Sequence, residues 1–354
     1  MEIKNLLQMT VDRKASDLHI ISGVPPYMRV DGHLAPLADE QILSPDMTEK
    51  YAKEVMTSDQ YERFSVNKEI DFSLAFSEKA RFRINAYTQR GSTAISFRAI
   101  PLEIPKIENL GLPRILHSFT GLKQGFVLVT GPTGHGKSTT IASVLNEINR
   151  QRSEHIITIE DPIEFIFKPI QSIISQREMG SDSHSWHVAL RSVLREDPDV
   201  VLVGEMRDYE TIAAALTVAE TGHLVFATLH TNSAAQTIDR IVDVFPEERQ
   251  QQVRMQLSGV IEAVFSMRLI PALSGGRKAA YEVMLGTSAI KTSIREGKTH
   301  QIDNIIQTSQ EVGMNTLEMS LAEMVREGSV SLEMAQTYSL KPEELMRLTR
   351  RSRG

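Results

Sequence analysis

At residues 126–129, 156–159, 200–203 and 224–228 the chain reads FVLV, IITI, VVLV and LVFAT, apolar and mostly β-branched with little polar alternation. Runs of this kind predict short strands buried on both faces. Helical periodicity fills the intervals, as at 137–150 and 209–219. Strand and helix alternating in this way need crossover connections, and therefore a largely parallel sheet.

The first hundred residues are patterned differently. An amphipathic opening helix precedes SDLHI, YMRVDGHLAPL with a turn at Asp31-Gly32, EIDFSLAF, ARFRINAYTQRG and STAISFRAI. The last two alternate apolar and polar positions and meet near Gly91, so they predict antiparallel strands. Pro101, Pro105 and Pro113 then punctuate IPLEIPKIENLGLP, and their fixed dihedrals and missing amide donors suit a linker. After residue 286 strand signals fade, and short helices are predicted in TSAIKTSIREGKTHQIDNIIQ, NTLEMSLAEMVREG and KPEELMRLTRRS. The expected organisation is α/β: a small domain over 1–100, a linker over 101–113, a parallel-sheet core over 114–285 and a helical region over 286–354.

Composition narrows the class. With 354 residues, 41% hydrophobic and 24% charged, the chain is long enough for about two cores. It has no apolar run near the ~18 residues of a membrane span, and the opening MEIKNLLQMTVDRK lacks a signal peptide's apolar centre, so a cytoplasmic protein without membrane insertion is expected. The absence of cysteine excludes disulfides, thiolate catalysis and Cys-based zinc sites. A net charge of -6 gives no general basic surface for nucleic acid, so no nucleic-acid partner is expected.

The chemistry concentrates after the apolar runs. GPTGHGKST fits G-x-x-x-x-G-K-[ST] between a predicted strand and a predicted helix, the context in which backbone amides and a helix N-terminus cradle phosphate. Gly131, Thr133, Gly134, Gly136, Lys137, Ser138 and Thr139 are the candidate nucleotide ligands, with Lys137 on the β- and γ-phosphates and Ser138 on Mg²⁺. His135 is either a solvent-facing spacer or a contact to nucleotide or a neighbouring loop. ITIEDPIEF brings Glu160, Asp161 and Glu164 to a strand end, where one could act as a base, although an acidic surface turn reads the same way. DVVLVGEMRD ends another strand in Glu205, a candidate magnesium-site acid. His223 and His230 flank the 224–228 run, each a structural histidine or a donor to phosphate or to a coupling loop.

Taken together, GPTGHGKST, TIEDPIEF, LREDPDVVLVGEMRD, TGHLVFATLHTNSAAQTIDRIVDVFP and ASDLHI…PPYMRVDGHL resemble the secretion ATPase superfamily of type II secretion and type IV pili, most closely its retraction-type members. The resemblance implies a PAS-like N-terminal domain, a RecA-like P-loop ATPase domain and a homohexameric ring that converts hydrolysis of ATP with Mg²⁺ into pilus retraction. It also implies docking on a platform protein of the inner-membrane pilus machinery. The four boxes of the family carry over Glu164 as general base, Glu205 as the magnesium-site acid and His230 near the nucleotide. Arg81, Arg83, Arg90 and Arg98 lie on the strand pair that carries the family's arginine fingers, which singles out Arg83 and Arg98. Coupling is expected from His223 and from the 289–296 segment, AIKTSIRE against the family's AIRNLIRE-like pattern, through Lys291 and Arg295. The family loop usually has serine at the place of His135. Assembly or secretion ATPases share the boxes, but resembling members add a long N-terminal region and a four-cysteine zinc insertion. A RecA-like nucleic-acid motor remains a third reading.

Overall fold

The computed structural model describes residues 2–30, 32–77, 80–100 and 103–350. Asp31 of the expected turn, Pro101 of the expected linker and the end of the RLTRRS segment lie outside them. By compactness the chain divides into two units, residues 1–103 with 162–166, and residues 104–161 with 167–354.

In the first unit, α1 (Ile3–Asp12) buries Ile3, Leu6, Leu7 and Thr10, a stripe at helical spacing. There follow β1 (Asp17–Ile20), β2 (Tyr27–Val30), β3 (His33–Pro36), α2 (Pro45–Val55), α3 (Ser58–Asn67), β4 (Glu69–Ser77), β5 (Ala80–Gln89) and β6 (Ser92–Ile100). The strands form one antiparallel sheet in the order β3-β2-β1-β6-β5-β4. β5 and β6 close a two-residue hairpin in which Arg90 and Gly91 both have positive φ, 49° and 77°, matching the right-handed strand twist. Neither α2 nor α3 was expected from the apolar pattern. Local capping defines both: Ser44 accepts from the Met47 amide ahead of Pro45, and Thr57 with Gln60 forms a reciprocal capping box.

The second unit contains α4 (Leu116–Thr120), β7 (Gly125–Thr130), α5 (Lys137–Gln151), β8 (His155–Glu160), β9 (Ile173–Glu178), α6 (Trp186–Val193), β10 (Val200–Val203), α7 (Tyr209–Glu220), β11 (Leu224–Leu229), α8 (Ala234–Asp243), α9 (Glu247–Val260), β12 (Ile261–Pro271) and β13 (Arg277–Leu285). α10 (Ser288–Arg295), α11 (Ile302–Thr308), α12 (Leu317–Arg326), α13 (Leu332–Tyr338) and α14 (Pro342–Arg350) complete it. The sheet order is β13-β12-β7-β11-β10-β8-β9, parallel throughout except for the β12–β13 pair. The four expected central strands are β7, β8, β10 and β11. β9, β12 and β13 had not been anticipated.

β12 outruns its neighbour. Its ladder with β7 ends at Ser266 opposite Thr130, whereas its ladder with β13 continues to Pro271 opposite Arg277. Residues 267–271 therefore project alongside the loop that follows β7, with one backbone edge available to it.

Candidate nucleotide site

The glycines of the loop between β7 and α5 answer to backbone geometry. Gly131, Gly134 and Gly136 have φ of 139°, 78° and 90°, in the region that favours glycine. A Cβ on Gly131 would also lie 2.2 Å from the Met267 carbonyl oxygen. α5 begins at Lys137 with Gly136 as N-cap and without a side-chain cap, so its first amides are presented for an anion.

Lys137 is only 7% exposed, and its ammonium donates to the carbonyls of Gly131 at 2.8 Å and Pro132 at 3.0 Å. His230, just past β11, lies with Nδ1 3.3 Å from the lysine Nζ and 3.4 Å from Thr133 Oγ1. Its Nε2 is 3.1 Å from a Glu205 carboxylate oxygen. An ammonium can only donate, so Nδ1 accepts and the ring proton sits on Nε2, directed at Glu205. The other Glu205 oxygen accepts from Arg207 at 2.8 Å. Burial pushes the Glu205 carboxyl up, but the hydrogen bond and charge of Arg207 and the neighbouring His230 outweigh it and hold the group below its ordinary range. One polar chain thus runs from the loop lysine through imidazole to the carboxylate after β10.

Glu160, at the end of β8, is buried and accepts from Thr158 Oγ1 at 2.7 Å. Gly204, after β10, passes close to it: a Cβ there would meet Glu160 Cα at 3.2 Å. Ser138 and Thr139 occupy the first turn of α5, half-buried. A cavity of about 440 Å³ adjoins His230 and Glu205 and is lined further by Arg207, Asp239 and Arg240.

The remaining expected residues stand apart from this chain of contacts. Glu164 is exposed and falls in the 162–166 stretch that groups with the first unit. Arg83 and Arg98 face each other across β5 and β6, and Arg98, 70% exposed, donates to Asp17 at 3.0 Å. Two like charges directly opposed are costly on a sheet, and Asp17 offsets part of that cost. His223 precedes β11, at the other end of the strand from His230, and its Nδ1 lies 3.0 Å from both Thr221 Oγ1 and the Val218 carbonyl. The length of the strand removes it from phosphate on its own loop. On α10 Ile290 and Ile294 are fully buried, while Lys291, expected to act in coupling, pairs with Glu262 at 3.0 Å. Arg295 donates within its own turn to Thr292.

Comparison with known proteins gives this arrangement a context. The family model described as type II/IV secretion system protein matches residues 1–275. The chain belongs to that family. It is 46% identical over 348 residues to a type IV pilus retraction ATPase, PilT, of Pseudomonas aeruginosa, covering 97% of this chain and 99% of the other. It is 44% identical to a twitching motility protein of Neisseria gonorrhoeae, covering 97% and 92%. Among solved structures, that of the pilus retraction motor PilT with bound ADP superposes with a TM-score of 0.92 at 45% identity, covering 98% of this chain and 99% of that one. The shared fold is an N-terminal domain followed by an ATPase domain with a parallel sheet. No helix among the described residues is long and apolar enough to cross a membrane.

Three contacts within this family member's site were not foreseen. His135 Nδ1 accepts from the Leu269 amide at 2.9 Å, Arg277 donates to the Gly134 carbonyl at 3.2 Å, and Thr140 Oγ1 lies 3.2 Å from Met267 Sδ. All depend on β12 and β13, whose partly polar strands gave no distinct apolar run.

Proposed function

We propose that the protein is an ATPase motor of the pilus retraction type, working as a ring of six and docked at the inner face of the cell membrane on the pilus platform. The observation that carries the reading is the Lys137–His230–Glu205 chain behind an uncapped α5 N-terminus. It joins the residue that would touch the β- and γ-phosphates to the residue that would stand at the metal, so a change at the γ-phosphate is felt across two strand ends.

The site suits its ligands. Backbone amides of the loop and α5 bind phosphate, and Lys137 exchanges its two carbonyl partners for phosphate oxygens. Ser138 and Glu205 would hold Mg²⁺, which supplies charge neutralisation on the phosphate oxygens when bound. His230 donates to Glu205 and holds that carboxylate in place. Glu164 is the proposed base for the attacking water, and Arg83 and Arg98 are proposed to reach the γ-phosphate across a subunit boundary. His223, Lys291 and Arg295 are the proposed coupling residues. The division into 1–100, a 101–113 linker, 114–285 and 286–354 fits these roles, with one moving body supplying arginine and the other the nucleotide. Only binding that differs between two orientations can drive movement.

The test has two levels. Purified protein releases phosphate from ATP with Mg²⁺, unchanged by DNA, and Lys137→Ala abolishes it. Cells lacking the gene carry abundant pili that do not retract; cells without pili would instead assign the motor to assembly.

A further inference from the structure

The overhang of β12 leaves a backbone donor that no strand satisfies. Beyond Ser266 there is no β7 residue to pair with, and the Leu269 amide points toward the phosphate loop, where the His135 ring meets it. Leu269 is half-buried, and an amide partly shielded from water is destabilising when it lacks an acceptor, so this contact has consequences for where the loop rests. The loop is pressed onto the same overhang at Gly131, which abuts the Met267 carbonyl, and at Gly134, whose carbonyl accepts from Arg277. His135 lies between two glycines in the left-handed region, which restrict the backbone on either side of it less than other residues would.

We propose that His135 is a positioning residue for the nucleotide: its unprotonated Nδ1 ties the phosphate loop to the β12 overhang, and protonation of the ring releases the tie. The proposal rests on the reading of this loop as the phosphate cradle. An amide can only donate, so the nitrogen facing Leu269 must be bare; adding a proton sets donor against donor. The charged groups acting on the ring come from each element packed around it: Arg268 of β12, Arg277 of β13 and Lys137 of α5. Burial, followed by these three cations, holds the imidazole below its ordinary value and keeps the tie made near neutral pH. A serine hydroxyl at this place would not titrate in that range. Nucleotide binding by this chain is therefore sensitive to acid below the ordinary imidazole range in a way a serine-bearing loop is not.

The experiment compares the full chain with His135→Asn and His135→Ala. Asn Oδ1 stands the same number of bonds from Cα as His Nδ1 and accepts without titrating, whereas Ala removes the acceptor. Amide exchange at Leu269, followed without nucleotide at pH 7.5, is expected to be protected in wild type and Asn and unprotected in Ala. This readout needs no ATPase activity, so failure of the enzymatic reading and failure of the tie are distinguishable. With ATP, KM at pH 7.5 is expected to rise about three- to tenfold in Ala, the scale of one neutral hydrogen bond, with kcat within twofold, and to be restored in Asn. As pH falls from 7.5 through the range below the ordinary imidazole value, KM rises more steeply in wild type than in Asn. Equal protection of Leu269 in wild type and Ala would overturn the tie. Matching pH profiles of KM in wild type and Asn would overturn its release by protonation.

Discussion

In the seven-stranded sheet, β7, β8, β10 and β11 bury almost every residue on both faces, and the polar groups gather past the strand ends at Lys137, Glu160, Glu205 and His230. In the six-stranded sheet, β5 alternates Phe82, Ile84 and Ala86 inward with Arg81, Arg83 and Asn85 on the other face. A strand covered on both faces can offer chemistry only where it stops; a half-covered strand can offer it along its length. Hence the nucleotide cradle belongs to the parallel sheet and the arginine candidates to the open face of the antiparallel one. If the arginines complete the site as proposed, turnover would depend on how the bodies that carry arginine and nucleotide are arranged.

The severest test of this contrast is at Arg83. Loss of a finger slows phosphoryl transfer by about 10³–10⁵-fold, whereas loss of an exposed ion pair is worth only ~0–1 kcal/mol. Arg83→Ala is expected to be nearly inactive, yet mixing it with Lys137→Ala should restore turnover in mixed rings, since an intact loop can then receive an arginine from a neighbour. Phosphate release by verified mixed rings decides the matter: no recovery would end the idea of action across subunits, and near-normal turnover of Arg83→Ala alone would remove the residue from the site.

A smaller loss is expected at Glu164. A general base contributes about 10²–10⁴-fold, so Glu164→Gln should bind ATP as wild type and turn it over that much more slowly, while Lys137→Ala loses binding as well. Binding of a fluorescent ATP analogue alongside phosphate release separates the two. Near-normal turnover in Glu164→Gln would leave the carboxylate after β8 without a catalytic part.

The same contrast explains what could be read from the chain in advance. FVLV, IITI, VVLV and LVFAT mark β7, β8, β10 and β11 because burial on both faces leaves no place for polar residues. β9 carries SQRE and β13 carries Arg277 and Lys278 at the two edges of the sheet, and Arg268 lies on the part of β12 that runs beyond β7; backbone with an open side tolerates polar side chains, so the pattern that marks a strand fades there. The loop lysine and Glu205 were legible because motif and strand end coincide. The ties of His135 and Arg277 were not, since they join residues more than 130 positions apart through a backbone amide and a carbonyl. The pairing of Lys291 was not legible either, because the helix period of its segment does not reveal Glu262 on β12.

Burial on two faces against one can be checked by adjacent alanines. Ile156 and Ile157 point to opposite faces of β8 and both are buried, so Ile156→Ala and Ile157→Ala should each cost about 2–5 kcal/mol. On β5 the neighbours diverge: Ile84→Ala should cost a similar amount and Asn85→Ala no more than about 0.5 kcal/mol. Urea unfolding of the four variants measures this directly. A small effect at either β8 position would show that this strand is covered on one side only.

The mildest effect belongs to Glu282, on the antiparallel edge of the otherwise parallel sheet. Its carboxylate is buried on β13 and accepts from the Ala234 amide at the start of α8 at 2.6 Å. Burial raises the carboxyl to about 7, aided by Asp303 and Glu318 and opposed by the Ala234 hydrogen bond and Lys341. An unfolded glutamate titrates near ~4.3. Between these values the folded state holds a proton that the unfolded state has released, so stability falls as pH rises through the window, by on the order of 1–3 kcal/mol. Below the window the contribution is fully present; above pH 7 it is lost. Glu282→Gln keeps an oxygen for the Ala234 amide and carries no charge. It should match wild type at pH 4.5 and exceed it at pH 8, removing the slope. Urea midpoints at half-unit steps of pH provide the measure: parallel curves for the two proteins would mean that the Glu282 carboxyl titrates in the folded chain as it does in the unfolded one.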